Sequence, residues 1–214
     1  MTDLVQHVKK AYLDAEQGIS KVTPDILAME GMTGIKTRHF YNNLLNMEDA
    51  RYLEIGVWKG SSVCSAMYGN SATVTCMDNW TQFGGPKYEF LANFARYTGN
   101  NKAEFLDVDC FAIDVSTLPK FNVYMFDGDH TVEAQRKALT YYIDRMDDTF
   151  IYVVDDWNAN SVREGTLAAI KELNLEVKWS HEIQLTFDGS HTPQPLARMT
   201  WWNGIFMAVL SKRG

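Results

Sequence analysis

Four aspartates form the most concentrated chemistry in this 214-residue chain. Asp127 and Asp129 follow the apolar run Val123–Phe126, and Asp155 and Asp156 follow Phe150–Val154. Acids gathered at one edge repel one another unless a positive charge sits among them. A hard cation such as Mg2+ or Ca2+ takes oxygen ligands and keeps waters for a substrate to displace. The same acids would also serve as caps and solvated turns at the starts of the next helices. A second constellation lies upstream, in Glu54-Ile-Gly56-Val57-Trp58-Lys59-Gly60-Ser61-Ser62. Gly56 and Gly60 allow a tight turn and close backbone approach, and the helix opened by Ser61 and Ser62 offers free N–H groups to an anion. A glycine turn can equally do no more than reverse the chain. Asp78, after the run Thr73–Met77, stands about 20 positions beyond that turn, where an acid grips the ribose hydroxyls of an adenosine-type ligand. A turn or helix-cap aspartate is the alternative there.

Glu54 separates the candidate ligands. A dinucleotide turn reads Gly-x-Gly-x-x-Gly, and here glutamate replaces the first glycine. Its carboxylate would repel a pyrophosphate but suits an ammonium group. S-adenosylmethionine carries an ammonium, and a carboxylate for the helix N-terminus, so these residues favour a methyl donor over NAD.

Such residues need a scaffold that brings them to one edge. Short apolar runs at Tyr52–Ile55, Thr73–Met77, Ala103–Leu106, Val123–Phe126 and Phe150–Val154 alternate with helical stretches. Those stretches include His130–Asp147 and a helix opened by the capping box Ser161-Val-Arg-Glu164 and running to about Leu173. Alternation of this kind implies right-handed crossovers and a parallel sheet with helices on both faces. Glu176–Phe187 and Ile205–Ser211 have only the loop Asp188–Asn203 between them and should pair antiparallel. The first 50 residues read as helices. Leu4, Val5, Val8, Ala11 and Tyr12 share a face, Thr23-Pro24 opens a helix through Glu30, and Phe40, Tyr41, Leu44 and Leu45 recur at helical spacing after Gly31 and Gly34. The expected organisation is a helical cap over 1–50 and an α/β domain over 51–214. Its mostly parallel seven-stranded sheet would end in an antiparallel pair, with ligands beyond the carboxyl ends of the strands.

Composition narrows the setting. A net charge of −7 argues against nucleic-acid binding and against a polybasic membrane patch. No apolar run approaches the roughly 18 residues that cross a bilayer. The N-terminus lacks the apolar centre of a signal peptide. Cys64, Cys76 and Cys110 are odd in number, dispersed and in no Cys-x-x-Cys pair, as in a reduced cytoplasmic protein without structural zinc.

Leu53–Ser62 followed by Val74-Thr-Cys-Met-Asp78 resembles motifs I and II of class I S-adenosylmethionine-dependent methyltransferases. Phe126-Asp-Gly-Asp-His130 and Val153-Val-Asp-Asp-Trp157 are similar to the group holding the cation-dependent O-methyltransferases, such as the catechol and caffeoyl-CoA enzymes, and their family 24 relatives. The resemblance implies a Rossmann-like fold with S-adenosylmethionine as cosubstrate. Glu54 and Gly56 would line the methionine end, Ser62 would meet its carboxylate and Asp78 the ribose. Asp109 and Cys110 would fall at the adenine, with Val57, Trp58, Gly60, Asn79 and Asp127 completing the donor contacts. It also implies metal ligands Asp127, Asp155 and Asp156, the last where relatives have asparagine. His130 stands where the catechol-type enzymes carry a lysine base, and its imidazole suits proton transfer near neutral pH. The implied activity is metal-assisted O-methylation of a small hydroxylated acceptor. The alternatives are metal-independent methylation of nitrogen or another nucleophile, or a non-catalytic binding relative. The loop Asp188–Asn203, which contains His191, is long enough to be an ordered lid, an acceptor wall or a contact between copies in a homodimer. Trp58, Trp80 and Trp157 follow strand ends and would either wall the acceptor pocket or pack in the core.

Overall fold

Strand β1 (Arg51–Ile55) shows how side-chain alternation builds the layers. Tyr52 turns to one face of the sheet, where its hydroxyl meets Glu54, and Leu53 and Ile55 turn to the other. The computed structural model describes residues 3–213. It continues with β2 (Thr73–Asp78), β3 (Lys102–Asp107), β4 (Phe121–Phe126), β5 (Met146–Asp155), β6 (Glu176–Ile183) and β7 (Ile205–Ser211). The sheet order is β3-β2-β1-β4-β5-β7-β6. β1 to β5 pair in parallel, and β7 lies between β5 and β6, antiparallel to both. This is the expected mixed sheet. The reversal of strand order beside β1 opens the crevice in which such folds bind ligands.

Among the described residues, eight helices accompany the sheet: α1 (Leu4–Glu16), α2 (Pro24–Ala28), α3 (Ile35–Leu44), α4 (Ser61–Met67), α5 (Lys87–Tyr97), α6 (Val132–Tyr142), α7 (Asn160–Glu172) and α8 (Leu196–Met199). On one face, Val8, Ile26, Phe40, Tyr41, Val63 and Phe90 of α1 to α5 pack with Tyr52, Val74, Val123 and Ile151. On the other, Leu139 and Tyr142 of α6 and Val162 and Ile170 of α7 pack with Leu53, Tyr124, Tyr152 and Phe206. Among the described residues no helix is long and apolar enough to cross a membrane.

Several element boundaries differ from expectation, the helix opened at Thr23-Pro24 ending at Ala28 rather than Glu30. The helix expected over His130–Asp147 ends at Tyr142, passes through a tight turn at Ile143–Arg145 and becomes β5 at Met146. Strand pairing takes over those residues, with Met146 opposite Phe121 and Thr149 opposite Ser211. The capping box at Ser161 does not form, because α7 already begins at Asn160 and Ser161 lies inside it. β6 stops at Ile183 rather than Phe187, since the Asn158 side chain draws off the Leu185 and Thr186 amides at 2.8 and 3.2 Å.

Candidate active site

The turn after β1 is made by close approach. Gly56 has φ +85°, and a Cβ there would lie 1.8 Å from the Asp127 carbonyl oxygen, so only glycine lets the β1 and β4 ends meet. Asp78 ties the turn to β2. One of its oxygens accepts the Val57 and Trp58 amides at 3.0 and 2.9 Å, and the other accepts Trp80 N–H at 2.7 Å. Glu54 is fully buried. Tyr52 donates to it at 2.7 Å, and the Ser62 hydroxyl donates to its other oxygen. Burial pushes its carboxyl up to about 7 against the bonds from Ser62 and Tyr52. The Ser62 hydroxyl therefore faces Glu54, while Gly60 caps α4 at φ +86° and leaves the helix start without a side-chain cap.

The remaining donor-site candidates lie along the same edge. Asn79 is exposed and accepts from Thr81 N–H at 3.2 Å and from its hydroxyl at 2.8 Å. Asp109 is exposed and caps its own turn through Phe111 N–H at 2.8 Å. The Cys110 carbonyl accepts from the Tyr142 hydroxyl at 2.5 Å, and burial pushes its thiol up to about 12, which leaves it an inert thiol.

The acids after β4 and β5 take different directions. Asp127, His130 and Asp156 each bring a ligand atom within 4.8 Å of the others. Asp155 is not in that group. It is 4% exposed, with its Oδ1 buried and unpartnered. Strand alternation turns Asp155 to the face of Ile151 and Val153, whereas Asp156, at φ +55°, swings the chain out toward His130. His130 Nε2 sits 2.9 Å from Asp156 Oδ2. That hydrogen bond holds the imidazole proton up to about 9 against the effect of burial. Burial pushes Asp156 up, but the His130 bond and charge and the Asn203 amide bring it below the ordinary carboxylate range. Asp127 goes the other way: burial first, then the Asp156 charge, raises it well above that range. His130 thus faces Asp156 as its hydrogen-bonded counter-ion. Asp129 is exposed and caps the Thr131 amide at 2.8 Å.

The tryptophans divide between wall and core. Trp157 is fully buried, stacked on Phe206 at 4.5 Å, with its indole N–H donating to Glu182 at 2.9 Å. Trp80 packs on Phe90 and donates to the Trp58 carbonyl at 2.9 Å. Trp58 is half-buried, its indole N–H donating to the Phe83 carbonyl at 3.0 Å.

Residues that sequence reading passed over complete the site. Asn203 donates to Asp156 Oδ1 at 2.6 Å and approaches His191 Nδ1 at 2.9 Å, while buried Asn158 donates to Thr192 at 3.0 Å. Together they seat the late loop on a hollow of about 70 Å3 beside His130 and Asp156. The length of the loop was the available signal, and nothing in their spacing singles out either asparagine. Tyr41 of α3 is buried with its hydroxyl unpartnered, and after burial the Asp155 charge is the largest influence raising it.

Residues 53–157 match the family model of a methyltransferase domain. No curated protein matches the chain in sequence. Among solved structures, an O-methyltransferase from Bacillus cereus in complex with SAH is similar at 14% identity and TM-score 0.57, covering 99% of this chain and 92% of that one. An SAH-bound methyltransferase from Podospora anserina is similar at 9% identity and TM-score 0.58, covering 100% and 89%. A ribosomal protein L11 methylase from Lactobacillus delbrueckii subsp. bulgaricus is similar at 10% identity and TM-score 0.54, covering 84% and 78%. The chain has the fold of class I S-adenosylmethionine-dependent methyltransferases, and its residues 53–157 match the model of a methyltransferase domain.

Proposed function

We propose that the chain transfers the methyl group of S-adenosylmethionine to an oxygen of a small hydroxylated acceptor, assisted by a divalent cation. The observation that carries this reading is the convergence of Asp127, His130 and Asp156 next to the Gly56 turn, where a donor's methyl end would lie. The donor would rest on the Glu54–Ser62 turn and on Asp78, with its adenine toward Asp109 and Cys110. An acceptor hydroxyl beside Asp127 would meet a carboxyl whose affinity for a proton is raised by burial and by the Asp156 charge, and His130, bonded to Asp156, would face the developing negative oxygen. The acceptor oxygen forms its bond to the methyl carbon as the carbon–sulfur bond breaks. Holding the two in line supplies much of the rate.

The residues also fit a metal. Two carboxylates, Asp127 and Asp156, converge with the His130 imidazole. Asp127 and Asp156 suit Mg2+ or Ca2+, and the His130 nitrogen favours Mn2+ or Zn2+. Bound there, a divalent cation would lower the pKa of the acceptor hydroxyl. The His130–Asp156 ion pair favours a second reading, in which a histidine or acceptor cation fills the metal's place and a nitrogen is methylated.

The acidic net charge supports a small molecule over nucleic acid as acceptor. The three cysteines are free, which supports a reducing, cytoplasmic setting. The test is calorimetric titration of S-adenosylhomocysteine with and without Mg2+ or Mn2+, followed by an acceptor screen. Micromolar binding lost in Asp78→Ala, with turnover that needs the cation, supports the full reading. Donor binding with cation-independent turnover supports the second. No donor binding by the folded protein defeats both.

A further inference from the structure

A hydroxyl taken out of water costs free energy unless it is bonded again. Tyr52, Tyr124 and Tyr142 are fully buried and bonded: they donate to Glu54 and to the carbonyls of Ala138 and Cys110 at 2.7, 3.0 and 2.5 Å. The hydroxyls of Tyr41 and Tyr152 are enclosed with no partner among the described residues. Their surroundings differ. Tyr152 lies in the layer of α6 and α7, against the Tyr124 ring at 5.2 Å, and burial alone raises its phenol. Tyr41, on α3, is 1% exposed in the opposite layer, where burial and then the charges of Asp155, Glu54 and Asp127 raise it. Strand alternation explains why acids gather there. Tyr52, Met125 and Val153 lie on the face that α3 covers, and Glu54, Asp127 and Asp155 each follow one of them by two residues. Phe126 pairs with Val154, and the Asp127 amide continues the ladder onto the Ile55 carbonyl at 2.8 Å, so Asp127 and Asp155 stand level on neighbouring strands. Asp155 Oδ1 is likewise enclosed and without a partner. Tyr41 is held in place above them. Its neighbour Asn42 donates to the Ser65 and Tyr68 carbonyls at 2.8 Å, and the Lys36 amide donates to the Thr200 carbonyl at 3.1 Å.

We propose that the Tyr41 hydroxyl binds the acceptor, donating to an acceptor hydroxyl whose own hydrogen is directed at Asp155 Oδ1. The inference rests on the O-methyltransferase reading and brings helix α3 into acceptor recognition. The two orphaned oxygens select the group between them, because one needs a donor and the other has a hydrogen to place. A neutral hydroxyl answers both at once. An anion would accept from Tyr41 but would be buried among the carboxyl groups of Glu54, Asp127, Asp155 and Asp156. An ammonium would donate to Asp155 and leave the phenolic hydrogen enclosed and unbonded. A carbon group would satisfy neither oxygen. Held in this way, the acceptor oxygen has its hydrogen and one lone pair fixed in direction, at the level of Asp127 and beside the Gly56 turn.

The experiment uses the full chain loaded with S-adenosylhomocysteine. Phenol is the hydroxyl probe, toluene its match without the hydroxyl, and benzylamine the ammonium. Phenol should bind more tightly than either. Tyr41→Phe should weaken phenol binding about tenfold, the size of one lost hydrogen bond. It should also erase the preference over toluene while leaving the affinity for S-adenosylhomocysteine unchanged and the melting temperature equal or higher. Tyr152→Phe removes an equally buried hydroxyl far from the acids and should alter no affinity. Tyrosine labelled with 13C at Cζ reads the unmutated protein, so the proposal stays testable if Tyr41→Phe does not fold. One resonance, that of Tyr41, should move with phenol and stay with toluene. Phenol bound no more tightly than toluene, a phenol preference that survives Tyr41→Phe, or tyrosine resonances unmoved by phenol would each overturn the assignment alone. Tighter binding of benzylamine would put a cation between Tyr41 and Asp155 and overturn it as well. Failure of S-adenosylhomocysteine to bind would overturn the methyltransferase reading, and this one with it.

Discussion

Glu54 is saturated with hydrogen bonds and still resists ionisation, because burial outweighs the bonds from Ser62, Tyr52 and the Val63 amide. Its folded-state pKa of about 7 lies above the ordinary 4.5. Between those values the folded chain holds a proton that the unfolded chain has released, so stability falls as pH rises through this window. The span corresponds to about 3 kcal/mol. Glu54→Gln should remove that slope, which urea melts across the window would read, and an unchanged slope would place the proton elsewhere. His130 has the opposite sign. Its pKa is raised above the ordinary 6.5 to about 9, so its contribution is complete below the lower value and is lost as pH rises through the higher one. Asp156→Asn should bring the NMR titration of His130 back down to its ordinary value or lower. The acids themselves were legible in the sequence. That Asp155 turns inward while Asp156 turns to His130 was not, because it depends on one left-handed backbone residue at φ +55°.

At the scale of elements, the segment between α2 and α3 touches the candidate donor turn directly. A Cβ on Gly31 would lie 2.0 Å from Ser61 Oγ, and the Thr33 hydroxyl bonds that same oxygen at 2.9 Å. The segment between α2 and α3 is knotted by buried Arg38, which donates to the carbonyls of Ile26, Met29 and Thr33 at 2.8, 2.9 and 3.2 Å. Gly31→Ala should force α4 to shift at its first turn. The expected cost is about 1–3 kcal/mol of overpacking, with weaker binding of S-adenosylhomocysteine read by calorimetry. Unchanged affinity would mean that the cap and the donor turn are uncoupled. Periodicity marked α1 and α3 well, since Val8, Ala11, Phe40 and Leu44 are all buried as their spacing requires. It failed where tertiary pairing overrode it. Met146 fits a helical face by pattern but belongs to β5, because β4 offers it an open ladder. The box at Ser161 reads as a cap, yet the chain leaving β5 starts α7 one residue earlier.

For the whole molecule, the sheet separates two apolar layers, and the candidate donor site lies where both reach its carboxyl edge. Glu54 belongs to the face of α1 to α5, Cys110 bonds Tyr142 of the opposite layer, and Asp78 joins β1 to β2 between them. A donor gripping all three would hold both layers to the sheet at once, so its binding energy would appear in global unfolding rather than in local ordering of one loop. Ligand that binds only the folded state adds about 2.7 kcal/mol at a hundred times its dissociation constant. For a chain of this size each kcal/mol raises the melting temperature by roughly 2–4 °C, so S-adenosylhomocysteine should raise it by about 5–10 °C in a single transition. Asp78→Ala should abolish the shift, because it removes the acceptor of the Val57 and Trp58 amides that shapes the turn as well as the carboxylate proposed to meet the ribose. A shift confined to one of two separated transitions would mean that the layers unfold independently and that the donor is held by one of them alone.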